Sequence, residues 1–127
     1  IEVQDQDGLI RLTGAWIAAD PGIALDPRNI EAQLTGGMVY GLSAAIGEEI
    51  NFVDGAAQQL NFPDYEPLRM SQMPPVSVRI LETQEHLNGI GEPGTPPAAP
   101  ALANALFDLT GKRVRELPLK KSFDFYV

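Results

Sequence analysis

The sequence predicts an α+β fold that contains a β-hairpin, a long glycine-rich helix, further strands and a C-terminal helix. Three patterns favour this fold class. Apolar and polar residues interleave at the start of the chain, an apolar stripe at helical spacing comes next, and a second such stripe lies near the end. The 127 residues are enough for one domain.

The first block, residues 1 to about 21, predicts the β-hairpin. Its apolar members interleave with polar residues, and they are Ile1, Val3, Leu9, Ile10, Leu12, Trp16 and Ile17. The run Asp5-Gln6-Asp7-Gly8 between them is typical of a tight turn. Asp20-Pro21-Gly22 ends the hairpin.

The second block predicts a helix from Asp26-Pro27 to Ile50. Asp is a good helix cap, and Pro is favoured at the first helical position. Apolar residues then recur in steps of three and four, at Ile30, Leu34, Met38, Leu42, Ala45 and Ile46. Gly36, Gly37 and Gly41 interrupt this helix, and each costs it about 1 kcal/mol relative to alanine. We therefore expect these glycines to pack closely on a cofactor or a neighbouring element, for which a second helix is an equally good candidate.

The third block predicts several shorter elements. In chain order they are a strand at 58–62, a loop at 63–75, a strand at 76–83, a glycine turn at 86–94, a helix at 97–110 and an extended stretch at 114–119. Leu102, Leu106 and Leu109 share one face of that helix, and Gly111 fits its C-cap. The aromatic tail Phe123, Phe125 and Tyr126 is predicted to pack on the core rather than to stack on a ligand.

Composition excludes several classes of function. The net charge is −8 and the pI is about 4.4, so we expect neither a nucleic-acid partner nor binding to an anionic membrane surface. No apolar run is long enough to be inserted across a bilayer. The chain has no cysteine, and His86 is its one histidine. Thiolate and multi-histidine metal sites are therefore excluded, and a Ser–His–Asp arrangement would have only His86 to use.

The most distinctive stretch is Asn88-Gly-Ile-Gly-Glu-Pro-Gly-Thr-Pro-Pro-Ala-Ala-Pro100. Gly89 and Gly91 allow the backbone to approach a ligand, and the prolines stiffen the second half of the stretch. Glu92, a lone carboxylate between them, is a candidate general base; a surface turn with a solvated Glu92 is the alternative. The chain lacks complete dinucleotide-binding and phosphate-loop motifs. It would therefore supply only some of the residues that bind a phosphorylated cofactor.

Residues 89–119 resemble the C-terminal end of molybdenum hydroxylase large subunits, the family of xanthine dehydrogenase and aldehyde oxidase. The resemblance is strongest to the isoquinoline 1-oxidoreductase β-subunit type. Residues 20–43 are similar to the family's segment in which an Asn-Pro turn precedes a Gln-x-x-Gly-Gly helix, although Asp26-Pro27 replaces Asn-Pro here. Residues 58–65 resemble the family's strand after that helix, so the resemblance covers nearly the whole chain in order.

The resemblance implies a molybdenum-dependent oxidoreductase that hydroxylates an N-heterocycle or oxidises an aldehyde with oxygen derived from water. It implies a molybdopterin cofactor, in bacteria usually the cytosine dinucleotide form, whose molybdenum takes no protein side chain as ligand. Glu92 would be the catalytic base, within hydrogen-bond reach of a hydroxyl group on the metal. The residues expected to contact the cofactor are Gln33, Asn88, Gly89, Ile90 and Gly91.

The family's large subunit is several times longer than this chain. We therefore expect residues 1–127 to be a single C-terminal molybdopterin-binding segment, inactive alone, whose start at Ile1 is a processed end or a cut. Expected partners are the remainder of the large subunit, an iron–sulfur small subunit and a small-molecule substrate, with iron–sulfur and flavin or haem groups only on partner subunits. We expect a cytoplasmic protein, or a periplasmic one. Two alternatives are an inactive structural or interaction fragment and a small phosphate-binding module.

Overall fold

A computed structural model describes residues 1–126, and Val127 lies outside the described residues. It confirms the predicted α+β class. The strands are β1 (Glu2–Gln6), β2 (Leu9–Ala19), β3 (Phe52–Val53), β4 (Ala56–Ala57) and β5 (Val76–Ile80). The α-helices are α1 (Pro27–Ile46) and α2 (Ala98–Thr110), and short 3₁₀ turns lie at Phe62–Asp64, Met70–Gln72 and Leu119–Lys121.

The predicted hairpin is confirmed and is extended by a third strand. β1 and β2 pair antiparallel around the Asp7-Gly8 turn, where the amide of Gly8 donates to the carboxylate of Asp5 at 2.8 Å. β5 then pairs in parallel with β2, from Ala15 opposite Val76 to Ala19 opposite Ile80. A parallel pair needs a long crossover connection, and α1 lies within that connection.

α1 begins where the sequence predicts and ends earlier. The carboxylate of Asp26 accepts a hydrogen bond from the amide of Asn29 at 3.1 Å, and Pro27 occupies the first turn. The helix ends at Ile46 rather than Ile50, where the amide of Gly47 donates to the carbonyl of Ser43 at 3.1 Å. Beyond this cap the chain leaves the helix, so the residues up to Ile50 are not helical.

The core forms where α1, α2 and the hairpin meet. The predicted apolar stripe of α1 is buried along its whole length. The largest fully buried side chains of the core are Leu34, Leu42, Leu102, Leu106 and Leu119. Burial of each such side chain contributes about 1.5–3 kcal/mol. Leu109, predicted on the apolar face of α2, is 41% exposed, because the sheet and α1 cover only the turns around Leu102 and Leu106.

The predicted strand at residues 58–62 is wrong. β4 ends at Ala57, and Phe62–Asp64 is a 3₁₀ turn. The side chain of Asn61 accepts from the amide of Phe62 at 2.9 Å, and the carboxylate of Asp64 accepts from the amides of Leu60 and Asn61 at 3.0 and 3.1 Å. These local bonds satisfy backbone donors that a strand would have used for pairing.

Two other predicted extended segments are shorter or absent. β5 ends at Ile80 instead of reaching Thr83, and the amide of Leu81 makes the last bond, to the carbonyl of Ala19 at 2.8 Å. Residues 114–119 are not a strand, because Pro118 cannot donate to a ladder and Leu119 turns into the core. The aromatic tail packs as predicted only in part: Phe123 and Phe125 lie against the core, whereas Tyr126 is 42% exposed.

Candidate functional site

The predicted site residues lie on the loop 88–95, before α2, and on the first half of α1. The structure brings the two together: a Cβ atom built at Gly91 would lie 3.9 Å from the side-chain amide nitrogen of Gln33. Both Gln33 and Gly91 are exposed. The two segments that the resemblance assigns to one cofactor site, the first half of the glycine-rich helix and the glycine turn, are therefore neighbours in the fold.

The C-terminal end of the loop rests directly on α1. A Cβ atom at Gly94 would stand 3.0 Å from the amide nitrogen of Met38 and closer still to the carbonyl oxygen of Leu34. The hydroxyl of Thr95 donates to the carbonyl of Gly37 at 3.0 Å. The close approach of backbone to backbone therefore occurs at Gly94, whereas nothing lies within 4 Å of a Cβ built at Gly89.

The glycines of α1 divide into two groups. A Cβ at Gly37 would lie 3.3 Å from the Cα of Gly94, and one at Gly41 would lie 2.6 Å from the carbonyl oxygen of Thr95. The prediction that these glycines pack on a neighbouring element is confirmed for both. Gly36 is exposed, and a Cβ built there would meet nothing within 4 Å in the described part of the chain, so for Gly36 only the predicted contact with a cofactor stays open.

The N-terminal end of the loop is held by the segment after β2. The amide of Asn88 donates to the carbonyl of Pro21 at 2.8 Å, and the amide of Ile23 donates to the carbonyl of His86 at 3.2 Å. Gly22 lies opposite Leu87 in this short antiparallel bridge. Its φ is +76°, and a Cβ there would overlap the backbone of His86, so this position requires glycine.

Asp20 lies at one end of the same bridge and accepts hydrogen bonds from both of its segments. Its carboxylate accepts from the amide of Gly22 at 3.0 Å, from the amide of Thr83 at 3.4 Å and from the Thr83 hydroxyl. The Thr83 hydroxyl, followed by the Gly22 amide, lowers the pKa of Asp20, because both donors stabilise the charged carboxylate. The sequence pattern assigns Asp20 only a role in ending the hairpin, since its partner lies 63 residues away.

The middle of the loop presents polar groups that the rest of the chain does not use. Within residues 1–126, no hydrogen bond is made by the backbone amides of Gly89, Ile90, Gly91 and Glu92 or by the side-chain amides of Gln33 and Asn88. Successive backbone amides and side-chain amides are the donors that bind anionic or carbonyl oxygens. This set of donors therefore fits a polar, phosphate-bearing cofactor.

Glu92 lies at the exposed turn of this loop. Its carbonyl oxygen accepts from the amide of Thr95 at 2.9 Å, so the backbone is fixed, whereas its carboxylate contacts no hydrogen-bond donor in the described part of the chain. Pro93 comes directly after it and fixes one backbone dihedral. The geometry leaves the carboxylate free to reach a bound group.

The described chain has neither a side-chain cluster for a metal ion nor a membrane-spanning helix. Residues 1–126 contain no group of three His, Cys, Asp or Glu side chains placed to hold a metal ion. Neither α1 nor α2, the helices of this part of the chain, is long and apolar enough to cross a membrane.

The chain is similar to proteins of known class. Residues 1–74 match the family model of the molybdopterin cofactor-binding domain. Isoquinoline 1-oxidoreductase subunit beta of Brevundimonas diminuta is 37% identical over 114 residues, which are 90% of this chain and 15% of that protein. Membrane-bound aldehyde dehydrogenase (pyrroloquinoline-quinone) of Gluconacetobacter polyoxogenes is 32% identical over 120 residues, which are 94% of this chain and 16% of that protein.

A solved structure shares the fold. The crystal structure of quinoline 2-oxidoreductase from Pseudomonas putida 86 matches with a TM-score of 0.76 and 22% identity, over 87% of this chain and 15% of that chain. The chain thus spans a small part of the length of each relative. Because the family model matches more than half of the residues, the chain belongs to the molybdopterin cofactor-binding domain family, as its resemblance to molybdenum hydroxylase large subunits predicts.

Proposed function

We propose that this chain supplies the catalytic base and one wall of the cofactor site in a molybdenum-dependent oxidoreductase. The substrate would be an N-heterocycle or an aldehyde, the two classes that the names of the relatives contain. The observation that carries the proposal is the loop 88–95. Both of its ends are fixed to the fold, while its middle presents the carboxylate of Glu92 and amides that bond to nothing else in residues 1–126.

Molybdopterin is the cofactor class of the family. The name of the second relative specifies pyrroloquinoline quinone, so the family model, rather than the names, supports molybdopterin here. We assign its cytosine dinucleotide form as part of the proposal. Gln33 would contact it through the side-chain amide, and Gly89, Ile90 and Gly91 through their backbone amides. Asn88 would use its side chain, because its own backbone amide already donates to Pro21.

When bound, the molybdenum cofactor supplies the two-electron redox chemistry of hydroxylation. Glu92 would accept the proton of the water-derived nucleophile as that nucleophile attacks an electron-poor carbon. The role demands a carboxylate that is held still yet has no internal partner. The bond from Thr95 to the Glu92 carbonyl and the fixed dihedral of Pro93 support the first condition, and the unpaired carboxylate supports the second.

We further propose that residues 1–127 act as one C-terminal segment of a large subunit, alongside an iron–sulfur small subunit, in the cytoplasm or the periplasm. Flavin or haem would lie on partner subunits. The exposed apolar side chains of the segment after α1 support association: Leu60, Phe62 and Met70 are 85%, 90% and 92% exposed. Apolar surface of this kind usually marks an interface.

The test of the proposal is the rate at which substrate reduces the Glu92→Gln enzyme, at full molybdenum content. Molybdenum and pterin analysis also separates the proposal from the alternative, an inactive structural fragment. Enzyme purified with its natural partners and lacking both groups would support that alternative.

A further inference from the structure

We propose that Asp20 is a positioning residue for the loop that carries Glu92. It would act through the short bridge that joins residues 20–24 to residues 82–88. The inference rests on the proposed function only in its kinetic part, where Glu92 is the base; the anchoring itself is a property of the chain.

Asp20 binds both sides of the bridge. On its own side the carboxylate accepts from the amide of Gly22, and on the other side it accepts from the amide and hydroxyl of Thr83. Hydrogen bonds to a charged acceptor are stronger than those between neutral groups.

The bridge continues from Asp20 to the start of the loop. The carboxylate of Glu82 accepts from the amide of Ala24 at 2.9 Å, and the carbonyl of His86 accepts from the amide of Ile23. The bond from the Asn88 amide to the Pro21 carbonyl is the last one before the loop. After Asn88, no further backbone bond to the rest of residues 1–126 forms until Gly94 and Thr95 reach α1.

The two anchors of the loop differ in strength. The anchor at Gly94 and Thr95 rests on α1, whose stripe is part of the core. The anchor at Asn88 lies on the surface, and residues 81–89 are all exposed. Without Asp20 this surface bridge would keep only its backbone bonds and the Glu82 contact. Asp20 is the side chain that bonds to both sides of this bridge, so the position of Glu92 would depend on it.

Position matters because a general base must reach its proton. A displacement of about 1 Å in a reacting group can cost about 100-fold in rate. The hydrogen bonds from Gly22 and Thr83 to the Asp20 carboxylate form a clamp. Loss of this clamp would let residues 83–92 sample a wider range of positions. The carboxylate of Glu92 would then occupy its working position for a smaller fraction of time. The turnover number would fall while substrate affinity changed little.

Hydrogen exchange measured on the assembled enzyme tests the anchoring without reference to activity. In Asp20→Ala, the bridge amides of Ile23, Ala24 and Asn88 should exchange about tenfold faster, while α1 and α2 exchange as in the wild type. Asp20→Asn keeps one oxygen acceptor and should restore most of the protection. Glu85→Ala, which removes a nearby exposed carboxylate outside the clamp, should change nothing. If Asp20→Ala fails to assemble, Thr83→Val removes the hydroxyl donor and should give the same local acceleration.

Kinetics then test the positioning. Asp20→Ala should lower kcat about tenfold or more with a small change in KM, and Asp20→Asn should recover much of it. Unchanged exchange in Asp20→Ala and Thr83→Val overturns the proposal. Faster exchange with unchanged kcat also overturns it, provided that Glu92→Gln abolishes turnover. If Glu92→Gln retains full turnover instead, the proposed function fails, and faster exchange would still support the anchoring.

Discussion

A Cβ atom at Gly94 would overlap the carbonyl oxygen of Leu34, because the loop backbone lies directly on α1 at this point. The amide nitrogen of Met38 would be 3.0 Å away on the same side. Both neighbours are backbone atoms within α1, so neither can move without distorting the helix. The contact fixes where the loop 88–95 ends and the approach to α2 begins.

Gly94→Ala should therefore destabilise the chain by about 1–3 kcal/mol, the usual cost of adding a group to a packed site. Gly89→Ala is the matched control, because a Cβ there meets nothing within 4 Å, and its effect should stay within about 0.5 kcal/mol. Denaturant unfolding of the 127-residue chain, at one fixed concentration, measures both. Equal stability of the two variants would contradict the assigned role of Gly94.

The same comparison can be made within α1. Gly36→Ala should stabilise the chain by about 0.5–1 kcal/mol, because its Cβ meets open space and alanine favours helix. Gly41→Ala should destabilise it, because the new Cβ would lie 2.6 Å from the carbonyl oxygen of Thr95 and 2.9 Å from the Cβ of Ala98. Unfolding midpoints that move in the same direction for both variants would show that the packing is wrongly assigned.

Tyr65 should titrate at unusually high pH. Its hydroxyl donates to the carboxylate of Glu48 at 2.6 Å, and this bond raises the pKa of Tyr65 above its ordinary value, since a phenolate would face a carboxylate. The stabilisation is fully present below about pH 10, the pKa of an unfolded tyrosine. It is lost as the pH rises through the higher folded pKa.

Ultraviolet absorbance measures this titration by difference between the wild type and Tyr65→Phe. Glu48→Gln keeps a hydrogen-bond acceptor and removes the charge, so it should move the pKa of Tyr65 back towards about 10. An ordinary pKa for Tyr65 in the wild type would show that the bond to Glu48 is not formed in solution.

We expect the isolated chain to associate and to bind no molybdopterin. Leu60 and Phe62, at 85% and 90% exposed, line a shallow groove of about 520 Å³ together with Ile50 and Tyr65. The double variant Leu60→Ser, Phe62→Ser should be more monomeric than the wild type in light scattering. A monodisperse wild-type monomer that takes up the cofactor would contradict this expectation.

Local patterns predict the hairpin and both helices, because their caps, turns and apolar spacing act within a few residues. They fail at residues 58–62, where the side chains of Asn61 and Asp64 bond to nearby amides instead of leaving them for a strand. To predict the 3₁₀ turn in place of a strand, one would have to know that these side chains bond to the nearby amides before a neighbouring strand does.

For the site, the sequence singles out Gly89 and Gly91 for close approach to a cofactor, which stays a prediction, and does not single out Gly94, which makes the close contact with α1. Gly89, Gly91 and Gly94 share one motif, and only the docking of the loop on α1 distinguishes Gly94 from the others. The clamp from Asp20 to Thr83 joins residues that are far apart in sequence, so no local pattern signals it. Such contacts result from the parallel pairing of β2 with β5, which brings the ends of both strands together.

The central claim is that Glu92 is the catalytic base, and the rate of enzyme reduction by substrate in Glu92→Gln tests it most directly. The substitution keeps size and shape and removes the proton acceptor. We predict a rate about 10² to 10⁴ lower than in the wild type, with molybdenum and pterin content unchanged. The control is Glu85→Gln, which changes a nearby exposed carboxylate outside the loop. Substrate should reduce this variant enzyme at the wild-type rate. Fully loaded Glu92→Gln enzyme that is reduced at nearly the wild-type rate would contradict the account.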